Sequence, residues 1–226
     1  RHALQVLALD LPREQRFGIG EEVSVSSADL AVTRPVDAEN LFRALSGFSI
    51  SRPGGPGGVS EVFLRGAESN FTAVYVDGVR LNDRTDQVGG GIVDLNSLSL
   101  HHVERIEVAR GPLSFFYGSS GLAGAINIIT RDAETEGDSV GFEVGAGTAS
   151  MFTGAVSLHS RRDDRRVYVG LSWDEEEERV ALDRFEQKTL STSARFGTPD
   201  STELHLTGRI AARETDDYPD ASGGPV

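Results

Sequence analysis

Phe152-Thr153-Gly154-Ala155-Val156-Ser157-Leu158-His159 changes character at every step. In an extended chain Phe152, Gly154, Val156 and Leu158 fall on one face and Thr153, Ala155, Ser157 and His159 on the other. The same two-residue period returns four times. Phe142, Val144 and Ala146 oppose Glu143 and Gly145, and Val167, Val169, Leu171 and Trp173 oppose Tyr168, Gly170 and Ser172. Leu190, Thr192, Ala194 and Phe196 oppose Ser191, Ser193 and Arg195, while Leu204, Leu206, Gly208 and Ile210 oppose His205, Thr207 and Arg209. Five segments of roughly ten residues with this period are what a barrel wall with lipid outside and water inside requires. A soluble β-sandwich has the same period, with its apolar face turned to a core.

Connection lengths bear on the choice. The turns near Arg161–Asp164 and Thr198–Ser201 read as tight, whereas Asp174 to Glu186 and the stretch after Arg213 read as long and acidic. Short periplasmic turns alternating with long outer loops define the polarity of a membrane barrel. The first strand then runs outward, and Gly147–Ser150 is a short first outer loop.

Composition sets outer limits. The 226 residues hold 22 Lys+Arg against 35 Asp+Glu, a net charge of −13, with the greater share of the acid in the second half. Such a balance argues against nucleic acid as a partner. The absence of cysteine removes disulfides, cysteine–zinc sites and thiol nucleophiles. No apolar run approaches the ~18–20 residues of a membrane-spanning helix, a fact that says nothing against strands.

Before about residue 132 the pattern differs. Asp37 is placed to cap a helix, with Val36 and Leu41 as a hydrophobic staple, Gly47 to end it, and Leu41, Ala44 and Leu45 as its buried stripe. Glu61–Arg65, Phe71–Val76, Val103–Ala109 and Ala125–Thr130 read as strands, the second closing on the turn dipeptide Asp77-Gly78. The expectation is an α+β domain over residues 16–132, preceded by a segment over 1–15. An incomplete antiparallel transmembrane β-barrel of about five strands follows over 138–226.

Four linked motifs carry a resemblance: Val62-Phe63-Leu64-Arg65-Gly66; Val74-Tyr75-Val76-Asp77-Gly78-Val79-Arg80-Leu81-Asn82; Val103-Glu104-Arg105-Ile106-Glu107-Val108-Ala109-Arg110-Gly111-Pro112; and Tyr117-Gly118-Ser119 leading into Gly124-Ala125-Ile126-Asn127-Ile128-Ile129-Thr130. In order and spacing, residues 20 to 131 resemble the plug domain of TonB-dependent outer-membrane receptors, most closely the cobalamin-receptor branch. The resemblance implies active uptake of a scarce nutrient across the outer membrane of a Gram-negative bacterium, with cobalamin, an iron-chelating siderophore or a similar small molecule as cargo. It implies outer-membrane lipid as surroundings, no cofactor, and the periplasmic protein TonB as energy-coupling partner. Barrels of this family have about 22 strands, so five strands mark the chain as an N-terminal fragment whose function is that of the intact protein.

Site residues follow from the same resemblance. Leu4, Gln5, Val6, Leu7 and Ala8, within the run to Leu9, form the candidate strand that adds to TonB. The glycine-rich Ser51–Ser60 loop and the Asn82–Gly91 loop are the expected ligand-facing apices, offering Arg52, Asn82, Asp83, Arg84, Asp86, Gln87, Val88 and Gly89. Arg65 and Arg110 each end a strand at a glycine and are placed either to meet acidic groups on the barrel wall or simply to cap their strands.

An enzyme reading lacks the nucleophile elbow, the phosphate loop and the dinucleotide fingerprint. His102-x-Glu104 has no cysteines with which to complete a deaminase zinc site. Glu175–Glu178 and Asp216, Asp217 and Asp220 are read as solvated tips of outer loops, with a hard cation such as calcium as the alternative, and no metal ligand is assigned. Two other classes stay open: a passive porin-like barrel, which has no use for the Val103–Thr130 block, and a soluble acidic carbohydrate-binding sandwich.

Overall fold

The computed structural model describes residues 5–6, 21–33, 38–51, 60–82, 92–93, 95, 98–112, 121–133, 136–147, 150–177, 184–197 and 202–216. In chain order the elements are β1 (Gln5–Val6), β2 (Glu21–Ser26), α1 (Ser27–Thr33), α2 (Ala38–Ala44), β3 (Phe48–Ser51), β4 (Ser60–Leu64), β5 (Thr72–Val76), β6 (Val79–Arg80) and β7 (Ile92–Val93). After these come β8 (Val103–Arg110), β9 (Gly124–Thr130), β10 (Gly137–Ala146), β11 (Phe152–Arg162), β12 (Arg165–Glu177), β13 (Arg184–Phe196) and β14 (Leu204–Asp216).

The N-terminal unit is built on a five-stranded sheet of order β2-β8-β9-β5-β6, beside a small sheet of order β3-β4-β7. Within the larger sheet β5 and β9 run parallel and the remaining pairs antiparallel. Val74, Ile106, Val108, Ile126 and Ile128 line one side of it and close on Leu41, Phe42, Val62 and Leu95. Phe42 and Leu64 are fully buried, and the Phe42 ring packs on Phe48 at 5.5 Å.

Local chemistry explains the ends of these elements. Ser26 and Asp29 form a reciprocal cap at the start of α1: Asp29 Oδ2 accepts from Ser26 N at 2.9 Å, and Asp29 N donates to Ser26 Oγ at 3.3 Å. The helix α2 ends at Ala44, and Gly47, at φ +82°, turns the chain into β3. Its buried stripe is Ala38, Glu39, Leu41 and Phe42; Ala44 is exposed, which corrects the stripe expected from sequence. The 3.6-residue period joins 38, 41, 42 and 45, and Leu45 does pack against the core.

Asp77 and Gly78, at φ 47° and 81°, form the tight turn between β5 and β6. Both positive angles fit a primed hairpin turn. The Asp77 carboxylate also accepts from Thr130 N at 3.0 Å and Thr130 Oγ1 at 2.7 Å. That pair of bonds ties the second motif to the end of the fourth.

The second sheet has the order β1-β14-β13-β12-β11-β10, antiparallel throughout. Its strands are longer than expected. Because β12 continues to Glu177 and β13 starts at Arg184, both ends of the anticipated Asp174–Glu186 loop are strand, while residues 178–183 and the expected turn at Thr198–Ser201 lie outside the described residues. The hairpin at Asp163-Asp164 stays tight.

Candidate functional site

The faces of the long sheet are inverted relative to a soluble protein. Val140, Phe142, Val144, Val156, Leu158, Leu171, Trp173, Leu204 and Ile210 are exposed. Tyr168, Ser172, Gln187, Thr189, Ser191, Ser193 and Arg195, on the opposite face, are buried. A sandwich buries its apolar face and wets its polar one. Here the polar face lies inward and the N-terminal unit packs on it.

That contact is a polar seam. Its N-terminal side comes from the one-turn 3-10 helix Leu100–His102, from Ser99 before it, and from Arg131 and Asp132 after β9. His101 lies between two strands of the sheet: Nδ1 is 2.7 Å from Glu143 Oε2 on β10, and Nε2 is 3.5 Å from Asp174 Oδ1 on β12. Arg131 adds a second cation to Glu143, at 3.3 Å. His102, almost wholly buried, places Nδ1 2.8 Å from the Tyr168 hydroxyl, and His159 packs edge-on to the same tyrosine ring at 4.9 Å. Ser172 donates to Ser99 Oγ at 2.9 Å. Arg195 binds Asp132 at 2.6 Å, with both groups buried, and reaches Glu203 at 3.0 Å.

Gly170 makes this approach possible. A Cβ at that position would lie 2.5 Å from both His102 Nδ1 and the Tyr168 hydroxyl.

The two neighbouring histidines are driven in opposite directions. Burial works against the charged form of His101, but hydrogen bonds and charge from Asp174 and Glu143 outweigh it and raise its pKa to about 9. Burial, with the nearby charges of His101 and Arg131, lowers that of His102 to about 4. At neutral pH one imidazole is a cation held by two carboxylates, and its neighbour is a neutral hydrogen-bond partner.

The residues expected from sequence fall elsewhere. Asn82 is buried, its Oδ1 accepting from Val74 N at 2.7 Å and its Nδ2 donating to Thr72 O at 3.0 Å. It therefore serves as a backbone clip along β5, a correction to its expected place at a ligand-facing apex. Arg52, Asp83, Arg84, Asp86, Gln87, Val88 and Gly89 lie outside the described residues, as do Leu4, Leu7, Ala8 and the expected helix cap Asp37. Gln5 and Val6 pair with Arg209 and Gly208 on the edge of β14.

Arg65, at φ 53°, is exposed at the end of β4. Arg110 is buried and donates to the Ser46 carbonyl at 2.7 Å, a contact within the N-terminal unit. Asp174 belongs to β12 and faces inward, instead of standing in a loop. The seam residues were not anticipated as a group. The signal was present, since Glu143, Tyr168, Ser172 and Arg195 all lie on the polar faces already assigned, and Asp174 continues the face of Ser172.

Residues 18–125 match the family model of the TonB-dependent receptor plug domain. This part of the chain is similar to a TonB-dependent receptor plug, and plug and long sheet together share the fold of the corresponding part of solved outer-membrane receptors. Over 130 residues the chain is 35% identical to the vitamin B12 transporter BtuB of Vibrio vulnificus, an alignment that covers 58% of this chain and 20% of that protein.

Two solved structures share the arrangement. The pyoverdine outer membrane receptor FpvA from Pseudomonas aeruginosa PAO1, bound to pyoverdine, superposes with a TM-score of 0.72 at 15% identity, over 88% of this chain and 28% of that one. The ferric yersiniabactin uptake receptor FyuA from Yersinia pestis gives 0.65 at 20% identity, over 86% and 32%. The chain spans about a fifth of the length of the curated relatives it matches.

Proposed function

We propose that the intact protein is a TonB-dependent importer of a scarce small nutrient, in which the plug closes the barrel until TonB pulls on it. The observation that carries the reading is the inverted sheet, with an exposed apolar face outside and a buried polar face gripping a folded plug inside. A passive pore needs no such plug, and a soluble sandwich would not leave Phe142 and Val144 bare. The cargo is cobalamin or an iron chelate, with cobalamin favoured by the likeness to the vitamin B12 transporter.

Ligand contact is assigned to Arg52, Asp83, Arg84, Asp86, Gln87, Val88 and Gly89, with Asn82 anchoring the root of the second loop. TonB contact is assigned to Leu4–Ala8. The pairing of Gln5 and Val6 on the β14 edge supports this, because a segment that adds to one strand edge has the extended form needed to add to another. Arg65, exposed at the end of β4, is assigned to the plug–barrel contact, and Arg110, buried and bonded to Ser46, to capping its own strand inside the plug.

The test is growth of a deletion strain on limiting cobalamin or on single iron chelates, with uptake measured before and after the proton-motive force is dissipated. Loss of growth on one nutrient, restored by the gene and abolished by the uncoupler, is the expected outcome. Uptake that continues without TonB would overturn the reading.

A further inference from the structure

One cross-strand row on the outward face of the wall joins Arg162, Arg165, Phe196 and Leu204, each the register partner of the next across β11, β12, β13 and β14. Phe196 and Leu204 are exposed and form the last apolar row on this side; above them the apolar rows continue to Val144 and Trp173. Eight residues at ~3.4 Å each make this band ~27 Å long along a strand, in keeping with the ~25 Å apolar height of outer-membrane barrels. The two arginines therefore stand at the lower rim of the lipid-facing band, beside the shortest hairpin and at the end where the chain enters from the plug.

Their charge is poorly balanced. Directly opposed like charges destabilise a strand pair unless a counter-charge lies between them. Arg162 shares a 2.7 Å ion pair with Asp138, on the same face of β10. Arg165 is exposed and has no ion-pair partner among the described residues, although Asp163 and Asp164 occupy the adjoining turn. The opposite rim differs. There Glu175, Glu186 and Glu214 form one row, and the sheet's own cations bind two of them, Arg184 to Glu175 at 3.1 Å and Lys188 to Glu186 at 2.6 Å.

We propose that Arg162 and Arg165 form a site for the phosphate of an anionic phospholipid in the periplasmic leaflet, its acyl chains lying along Leu158, Phe196 and Leu204. A planar guanidinium pairs with phosphate oxygens through two parallel hydrogen bonds. Two such groups on adjacent strands cradle one headgroup while their stems lie on apolar surface. Because short turns face the periplasm, the site meets the phospholipid leaflet and fixes the height of the wall from below. The inference rests on the barrel reading.

Native mass spectrometry of the intact protein tests it, with detergent micelles doped with phosphatidylglycerol or with phosphatidylcholine. The wild type is expected to retain phosphatidylglycerol over phosphatidylcholine by roughly thirtyfold, from two interfacial arginines. Arg162→Gln with Arg165→Gln abolishes that preference, the double lysine variant keeps part of it, and Arg184→Gln with Lys188→Gln on the other rim leaves it unchanged. If the double glutamine variant does not fold, Arg165→Gln alone, which breaks no described ion pair, is expected to lower the preference by roughly fivefold. Equal retention of the two lipids by the wild type, or an undiminished preference in the glutamine variants, overturns the site. Flotation of the wild type with phospholipid vesicles reports separately on the barrel reading, since a protein that does not float has no lipid-facing wall at all.

Discussion

Gly170 on β12 leaves the space into which the plug's His102 ring fits. Gly170→Ala sets a methyl group against the His102 ring and the Tyr168 hydroxyl. A cost of about 1–3 kcal/mol is expected from overpacking, read as a lower unfolding midpoint of the intact protein, with the wall's β signal retained. The histidines give a second residue-scale prediction. The folded pKa of His101 is raised to about 9, so its stabilisation is complete below 6.5 and is lost as pH rises through about 9. That of His102 is lowered to about 4, so its stabilisation is present above 6.5 and is lost as pH falls through about 4. Together the two contributions peak near pH 6.5, each worth on the order of 2–3 kcal/mol at full extent. Protease resistance of the plug should follow this profile. His101→Gln should remove the alkaline slope and His102→Gln the acid one, and a flat wild-type profile would contradict the assignment. Neither partner set was legible in the sequence, because His101 meets Glu143 and Asp174 across gaps of tens of residues that only the fold closes.

Strands were far more legible than the helices. A period of two needs only a few residues to declare itself, and β10–β14 and the four central plug strands appear where the alternation and the glycine stops put them. By contrast β2 and α1 were missed, although Val23 and Val25 alternate and Ser26-x-x-Asp29 is a capping pattern. Loop lengths misled for a different reason, since hydrogen-bonded strands run on past the membrane band into charged sequence where alternation no longer marks them. The lipid-facing assignment makes the element-scale prediction. Spin labels on cysteines at 169, 171, 204 and 206 of the intact protein should be reached by bilayer-dissolved oxygen, and labels at 205 and 207 should be protected. Equal accessibility on both faces would refute the wall. Val169→Arg or Leu206→Arg is expected to cost about 2–4 kcal/mol near mid-membrane. Ser172→Arg is costly as well, through loss of its bond to Ser99 at a buried position, so Thr207→Arg is the appropriate inward control.

On the scale of the whole molecule, the plug has a core of its own, from Phe42 and Leu64 through Ile106, Ile126 and Ile128. Residues 16–132 are therefore expected to fold without the wall, with cooperative unfolding and protected amides in β5, β8 and β9. A fragment without protected amides would place the boundary elsewhere. The polar character of the wall's inner face has a mechanical meaning. Parting two apolar surfaces costs about 25 cal/mol for every Å² exposed to water. Parting Ser172 from Ser99, or His102 from Tyr168, exchanges one hydrogen bond for others made with water, at a net cost of roughly 1 kcal/mol each. The seam is a hydrogen-bonded bearing: stiffest at the buried Arg195–Asp132 pair and divided elsewhere into separate weak contacts, each of which parts at small cost.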